Sequence, residues 1–129
     1  DCWLFIRSLK TLSLRLDRQE ANAQALAQAL SQHPQIKEVL YPGRGAMMSI
    51  KIQDASKVDS FLRALKVFTF AESLGGVESF ITYPTTQTHA DIPQDIRESY
   101  GLTADLLRVS VGIEDPQDLI ADIIQALNA

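Results

Sequence analysis

The sequence predicts a single two-layer α+β domain in which helices pack on one face of a mostly antiparallel sheet. A chain of 129 residues, of which 46% are hydrophobic, has the size and apolar content of one domain with an ordinary core. Helical and strand periodicities alternate in the order helix, two strands, helix, two strands, short helix, strand, helix. No repeat or long linker divides the chain, so residues 1–129 should form one folded unit.

A long helix is predicted over residues 1–33. From Leu9 onward, apolar residues recur at steps of three, four or seven, which places them on one helical face. Pro34 cannot continue the hydrogen-bond ladder, so the helix should end close to His33, with a bend near Ser13. A helix of this length in a small domain often spans two units, and we expect this one to lead from a neighbouring domain.

Two strands, a helix and a third strand are predicted next. Residues 36–41 predict a short strand closed by a Pro-Gly turn, and the alternation of apolar and polar residues over 48–52 is typical of a half-buried strand. Asp54 is a suitable N-cap for a helix running to about Lys66, because the apolar residues after it repeat at helical spacing. Residues 67–70 predict a short strand.

The second half of the chain is predicted to hold two strands and two helices. Residues 80–84 predict a strand that ends at its proline, and a polar loop follows. Pro93 at a first helical position and Gly101 beyond the end bracket a short helix. Alternating apolar residues predict a strand over 107–111, and the Asp-Pro pair at 115–116 predicts the start of a closing helix.

The composition argues against several classes of function. With 12 Lys and Arg against 16 Asp and Glu, the chain has no net attraction for nucleic acid or an anionic membrane. The apolar opening at residues 2–6 is too short for a signal peptide or a membrane span, and the lone Cys2 excludes an internal disulfide. We expect a cytoplasmic protein, and the apolar start without an initiator methionine leads us to expect a fragment of a longer chain.

Arg108 is the residue that the pattern singles out on physical grounds. Because strand side chains alternate, it must point to the face opposite Leu107 and Val109. A guanidinium in the middle of an apolar strand needs an anion, since an unpaired buried charge is costly. Its planar fork matches a carboxylate, which is either a structural Asp or Glu, the more common case, or the carboxylate of a substrate.

The other chemical candidates give weaker signals. The glycine pair at 75–76 lacks the spacing of a dinucleotide motif and the lysine of a P-loop, so a tight turn is favoured over a phosphate cradle. His89, in the polar loop, is a candidate general base, whereas His33 at a helix end is more simply a solvated residue. Neither histidine has a partner at metal-ligand spacing, so we expect no metal site.

Four segments together resemble one family of enzymes. They are the opening DCWL with RSLKTL at 7–12, the run FTFAESLGGVES at 68–79, the triplet THA at 88–90 and the run LRVSVGIED at 107–115. In this wording and order they are similar to the family of cystathionine γ-synthases, cystathionine lyases and O-acylhomoserine sulfhydrylases. The resemblance extends over the chain from end to end.

The resemblance implies the C-terminal domain of a fold-type I pyridoxal-phosphate enzyme, in which the position matching Arg108 binds the substrate α-carboxylate. It implies that Ser73 and Leu74 line the same pocket, that Thr88 lies at the pocket edge, and that Glu72 is associated with the choice between β- and γ-directed chemistry. The lysine that carries the cofactor in the family belongs to an N-terminal domain. We therefore expect no catalytic residue in these 129 residues, and the isolated chain should be inactive.

The resemblance also narrows the chemistry. Family members usually carry a longer segment after the Tyr-Pro-Gly turn than this chain does after residues 41–43. A subgroup with the short segment exists and resembles bacterial synthases and sulfhydrylases of methionine biosynthesis. For the full-length enzyme this implies replacement at Cγ of an O-acylhomoserine by cysteine or sulfide, with pyridoxal phosphate as cofactor. The implied partners are the amino-acid substrate, the protein's own N-terminal cofactor domain and further copies in a homotetramer.

Three alternatives stay open on the sequence. One is a cystathionine β- or γ-lyase of the same family. Another is a free-standing, non-catalytic α+β module that binds a small molecule, which the same order of helices and strands would fit. The third is a homo-oligomeric interaction module built on the first helix, which predicts a defined oligomer in solution.

Overall fold

The helices and strands follow the periodicity of the sequence closely. The computed structural model describes residues 1–129 and contains five α-helices and five strands, with a 3₁₀ turn, Ala55–Lys57, before the third helix. Their bounds are α1 Cys2–Leu9, α2 Leu12–Leu30, β1 Ile36–Leu40, β2 Met47–Ile52, α3 Val58–Ala64, β3 Thr69–Phe70, β4 Phe80–Thr82, α4 Gln94–Ser99, β5 Leu106–Ser110 and α5 Pro116–Leu127.

The five strands form one sheet in the order β1-β2-β5-β4-β3. Three of the pairings are antiparallel, and only the short β3 pairs in parallel, with β4. The mostly antiparallel sheet is therefore confirmed. Because β5 lies between β2 and β4, Arg108 is in register with Ser49 on one side and Thr82 on the other.

One face of the sheet packs against helices and forms the core. Ile50, Leu107 and Val109 point to this face and are completely buried, because side chains in a strand alternate between the two faces. Helices α2, α3 and α5 cover them with the apolar stripes that their periodicity predicts. The two-layer arrangement expected from the sequence is confirmed. The helix-covered residues of the core are Ala23, Leu26, Leu30, Phe61, Leu119 and Ile123.

The single long helix predicted over residues 1–33 is wrong, because the segment forms two helices. At the break, the amides of Lys10 and Thr11 bond to carbonyls three residues back, not four, and Thr11 has φ −113°. The Arg15 side chain donates to the Ser8 carbonyl at 2.9 Å and to the Thr11 hydroxyl at 3.2 Å, which satisfies groups that the break leaves free. The break lies just before the bend expected at Ser13.

Helix α1 has no buried residue. Its large apolar side chains are all exposed, and the element that it contacts most is α2. No helix of the structure is both long enough and apolar enough to span a bilayer. The exposed apolar residues of α1 are Trp3, Leu4, Phe5, Ile6 and Leu9.

Buried Asp122 on α5 fixes the chain between α3 and β3. Its two carboxylate oxygens accept hydrogen bonds from the backbone amides of Lys66, Val67 and Phe68, at 2.8–2.9 Å, and from the side chain of Gln125. A carboxylate with this many donors is stable in a buried position, because hydrogen bonds replace its lost hydration. The connection that leads into the sheet edge is held in this way.

Candidate anion-binding cleft

The face of the sheet opposite α2, α3 and α5 forms the floor of a cleft. Strands β1, β2 and β5 supply this floor, and the segment 84–102, which contains α4, supplies a wall. Its volume of about 450 Å³ lies within the range of small-molecule sites. The lining residues are Glu38, Leu40, Ser49, Lys51, Pro84, Thr88, His89, Tyr100, Gly101, Leu102, Leu106 and Arg108.

Arg108 lies on the floor of the cleft and has no acidic partner. Its Nη2 donates to the Thr82 hydroxyl at 3.0 Å and to the Ser73 carbonyl at 3.4 Å, and its Nε is buried without any hydrogen bond. The ion pairs of the structure join Lys37 to Asp105 and Lys51 to Glu38, so neither involves Arg108. The structural ion pair considered for Arg108 is therefore wrong as far as acidic residues within residues 1–129 are concerned. A half-buried guanidinium with free donors remains, and an anion would satisfy it.

The second cation of the cleft is already neutralised. Lys51 has only 17% of its side chain exposed, and its Nζ lies 3.1 Å from a Glu38 carboxylate oxygen. Because the opposite charges of Lys51 and Glu38 offset each other, Arg108 is the cation in the cleft that is available to a ligand.

The loop that carries Ser73 is held in place by hydrogen bonds to α2 and β5. Gly75 has φ +74°, in the left-handed region that glycine adopts readily, and its amide donates to the Ser110 hydroxyl at 2.9 Å. The Gln19 side chain donates to the Gly76 carbonyl at 2.7 Å. The Gly75 amide points to the protein, which argues against a phosphate cradle, but the glycines lie in a bend of the long loop between β3 and β4 and not in a tight turn between strands.

Three of the five predicted site residues come together. Arg108 lines the cleft from the floor and Thr88 from the wall formed by segment 84–102, and Ser73 contacts Arg108 through its carbonyl group. Leu74, with 57% of its surface exposed, and Glu72 lie on the same loop but do not line the cleft.

Of the two histidines, only His89 lines the cleft. Its Nδ1 lies 2.7 Å from the Thr88 hydroxyl. His33 lies beyond the end of α2, where its Nδ1 accepts a hydrogen bond from the Gln35 amide. The simpler interpretation of His33, as a helix-end residue, agrees with this position.

Sequence reasoning missed two residues that support the site. Thr82 on β4 contacts Arg108, and Arg97 on α4 donates from Nη1 to the carbonyls of Thr85, at 2.7 Å, and His89, at 3.4 Å. Arg97 thereby ties α4 to the loop that carries Thr88. The strand alternation indicated that Arg108 needs partners, but only the strand pairing identifies Thr82 as one of them.

The fold and the cleft together define an α+β domain with an arginine that has no acidic partner in a cleft of small-molecule size. The model of the Cys/Met metabolism PLP-dependent enzyme family matches residues 1–128, and the chain belongs to this family. Its fold matches part of the fold of fold-type I pyridoxal-phosphate enzymes, the class to which its solved structural neighbours belong.

Several relatives and solved structures are similar to the chain. It is 57% identical over 126 residues to a cystathionine gamma-synthase of Haemophilus influenzae, which covers 98% of the chain and 34% of the relative. It is also 57% identical, over the same shares of the two chains, to a cystathionine gamma-synthase/O-acetylhomoserine (thiol)-lyase of Bacillus subtilis. A crystal structure of cystathionine gamma synthase from Xanthomonas oryzae, in complex with aminoacrylate and cysteine, superposes with TM-score 0.93 at 37% identity, over 99% of this chain and 38% of that one. The chain thus spans about a third of the length of these relatives.

Pyridoxal phosphate is the cofactor of the family, but the cleft does not fit it. The cofactor needs a free lysine for its aldehyde and several donors for its phosphate. Lys51, the lysine that lines the cleft, is paired with Glu38, and the Gly75 amide is already bound by Ser110. Arg108, the other cation that lines the cleft, cannot form a Schiff base with the cofactor.

Proposed function

We propose that the chain is the C-terminal, substrate-carboxylate-binding domain of a cytoplasmic pyridoxal-phosphate enzyme that replaces the Cγ substituent of an O-acylhomoserine with cysteine or sulfide. Such a cystathionine γ-synthase or O-acylhomoserine sulfhydrylase would act in methionine biosynthesis by transsulfuration or direct sulfhydrylation. The observation that carries the proposal is the half-buried Arg108 guanidinium, which has free donors and no acidic partner. The 57% identity to two bacterial synthases supports the choice of reaction.

In this proposal Arg108 binds both oxygens of the substrate α-carboxylate and thereby orients the bond at the α-carbon that is to be broken. Ser73 and Leu74 line the substrate pocket of the complete enzyme, Thr88 lies at its edge, and Glu72 is associated with the choice between β- and γ-directed chemistry. The cofactor supplies an electron sink for the α-carbon and is held mainly by the N-terminal domain. The full-length protein is a homotetramer, and the 129-residue chain alone is inactive.

A cystathionine lyase is the second candidate, and one observation favours it. The chain is 44% identical to a cystathionine gamma-lyase of Bacillus subtilis. That alignment extends over 143 residues while covering the same 98% of this chain, so the lyase carries positions that this chain lacks. The synthases align over 126 and 127 residues without such an excess, which supports the synthase assignment.

A substrate panel separates the two candidates. The full-length protein, loaded with pyridoxal phosphate, should consume O-succinyl- or O-acetylhomoserine together with cysteine or sulfide, and should cleave cystathionine much more slowly. Product formation is measured by chromatography for each pair of substrates. If cystathionine is cleaved faster than either acylhomoserine reacts, the lyase is the correct assignment.

Substitution of Arg108 tests the proposed binding residue. In the full-length enzyme, Arg108→Ala should raise KM and lower kcat/KM by about two orders of magnitude or more, because the carboxylate loses its bidentate partner. Arg63→Ala is the matched control, since Arg63 is exposed on α3 in the helix layer. Near-normal kinetics of Arg108→Ala would remove the assignment.

A further inference from the structure

Thr82 is a buried hydroxyl that touches the candidate ligand-binding arginine. It lies on β4 directly across from Arg108 on β5, and only 1% of its surface is exposed. Its Oγ1 lies 3.0 Å from Arg108 Nη2 and 2.8 Å from the Ala71 carbonyl oxygen. Neither the resemblance nor the proposed function assigns a role to this residue.

The direction of both hydrogen bonds follows from the chemistry of the groups. A carbonyl oxygen can only accept, so the Thr82 hydroxyl must donate its proton to Ala71. A guanidinium can only donate, so the same hydroxyl accepts from Arg108. The hydroxyl proton therefore has one orientation, and its free lone pair points to Nη2. The branched Cβ of threonine restricts the side-chain rotamer further.

The Thr82 hydroxyl is a neutral acceptor, so it can hold the Arg108 guanidinium without offsetting its charge, which a carboxylate could not do. Thr82 fixes Nη2 without cancelling the positive charge, and Nε stays buried and unpartnered. A carboxylate in the same place would neutralise the cation and compete with an incoming anion. The sheet thus holds the guanidinium in one orientation while keeping its charge for the ligand.

We infer that Thr82 is a positioning residue for Arg108 and fixes the guanidinium that takes the substrate carboxylate. The inference rests on the proposed role of Arg108. It predicts that loss of the Thr82 hydroxyl weakens carboxylate recognition and leaves the rest of substrate binding unchanged. The effect should appear in KM more than in kcat, because a binding group is loosened and no reacting atom is touched.

The test uses the full-length holoenzyme with Thr82→Val, which keeps the shape of the side chain and removes the hydroxyl, and Thr82→Ser, which keeps the hydroxyl. Thr82→Val should raise KM about tenfold, as expected for loss of a hydrogen bond to a charged group, and Thr82→Ser should stay within about twofold of the natural enzyme. If Thr82→Val does not fold, Thr82→Ala takes its place in the same comparison.

A pair of inhibitors separates positioning from general structural damage. Norvaline carries the carboxylate but no leaving group, and norvaline amide replaces that carboxylate with an uncharged amide group. Thr82→Val should weaken inhibition by norvaline about tenfold and change inhibition by the amide by less than about twofold. An equal change for both inhibitors, or none for norvaline, would overturn the inference.

Arg108→Ala in the same assay distinguishes failure of this inference from failure of the proposed function. If Arg108→Ala keeps a preference for norvaline over its amide, the proposed function is wrong, and the inference that rests on it is overturned as well. If Arg108→Ala loses that preference and Thr82→Val keeps it in full, only the inference is wrong.

Discussion

Asp122 and Arg108 are two charged side chains that the same domain treats in opposite ways. Asp122, in the helix layer, accepts hydrogen bonds from three backbone amides and one side chain, and only 4% of its surface is exposed. Arg108, on the open face of the sheet, has a carbonyl and a hydroxyl as partners, no acidic partner, and a buried Nε without any hydrogen bond. The comparison teaches that the chain uses one charge to build the fold and leaves the other for a ligand.

The largest effect should follow from removing the charge that belongs to the fold. Asp122→Asn replaces one carboxylate oxygen with an amide group that faces backbone N–H donors, so at least one buried donor loses its acceptor. The free energy of unfolding should fall by about 3 kcal/mol, as measured by urea unfolding followed by circular dichroism.

The control for this prediction lies on the same helix. Asp118 is exposed in the first turn of α5, where it interacts only with the helix dipole, so Asp118→Asn should cost about 0.5 kcal/mol. If the two variants lose equal stability, the donors around Asp122 do not stabilise the fold in the way described.

A smaller effect should come from Asp105, a buried carboxylate that has Lys37 as its cationic partner. It concerns how the stability of the fold changes at acid pH. Burial alone would raise the pKa of Asp105, but hydrogen bonds from Thr103 and Lys37 and the charge of Lys37 outweigh burial and lower the pKa below its ordinary value of 3.8. The stabilisation is therefore complete above the unfolded pKa and is lost as the pH falls through the lower folded pKa.

Substitution of Asp105 should remove this part of the pH dependence. Asp105→Asn should be less stable than the natural chain at pH 7 and should show a flatter loss of stability below about pH 4. Unfolding midpoints across an acid pH series give the measurement, with exposed Asp91→Asn as the control. A slope that Asp105→Asn leaves unchanged would mean that Lys37 and Thr103 do not stabilise the carboxylate.

The smallest effect on stability should come from Arg108. Arg108→Met keeps the length of the side chain and removes a charge that no anion compensates, so the unfolding free energy should change by less than about 1 kcal/mol or rise. Substrate binding should be lost at the same time. Asp122 would then be a charge that stabilises the fold, and Arg108 a charge that binds the substrate. A destabilisation as large as that of Asp122→Asn would show that Arg108 belongs to the fold.

Most of the fold could be predicted because its signals are local. Asp115 caps α5 as the sequence indicates, by accepting from the Gln117 amide, and Asp54 caps the 3₁₀ turn that leads into α3, by accepting from the Ser56 amide. The break between α1 and α2 was expected only as a bend near Ser13, because Lys10 and Thr11 carry no proline or glycine signal. Side-chain hydrogen bonds from Arg15 accompany the break, and no pattern of apolar residues encodes them.

The site could be predicted only in part, for a related reason. Arg108 was found because a cation in an apolar strand is conspicuous, but its partners depend on which strands pair. Thr82 lies 26 residues earlier in the chain and meets Arg108 only through the register of β4 and β5. The Lys37–Asp105 pair joins residues 68 apart and carries no local signal either.

The most direct test of the central claim is a crystal structure of the full-length enzyme with pyridoxal phosphate and norvaline. The account predicts both carboxylate oxygens of norvaline at about 3 Å from nitrogen atoms of Arg108. A carboxylate bound by a different cation, or an Arg108 side chain paired with an acidic residue from the rest of the enzyme, would contradict it.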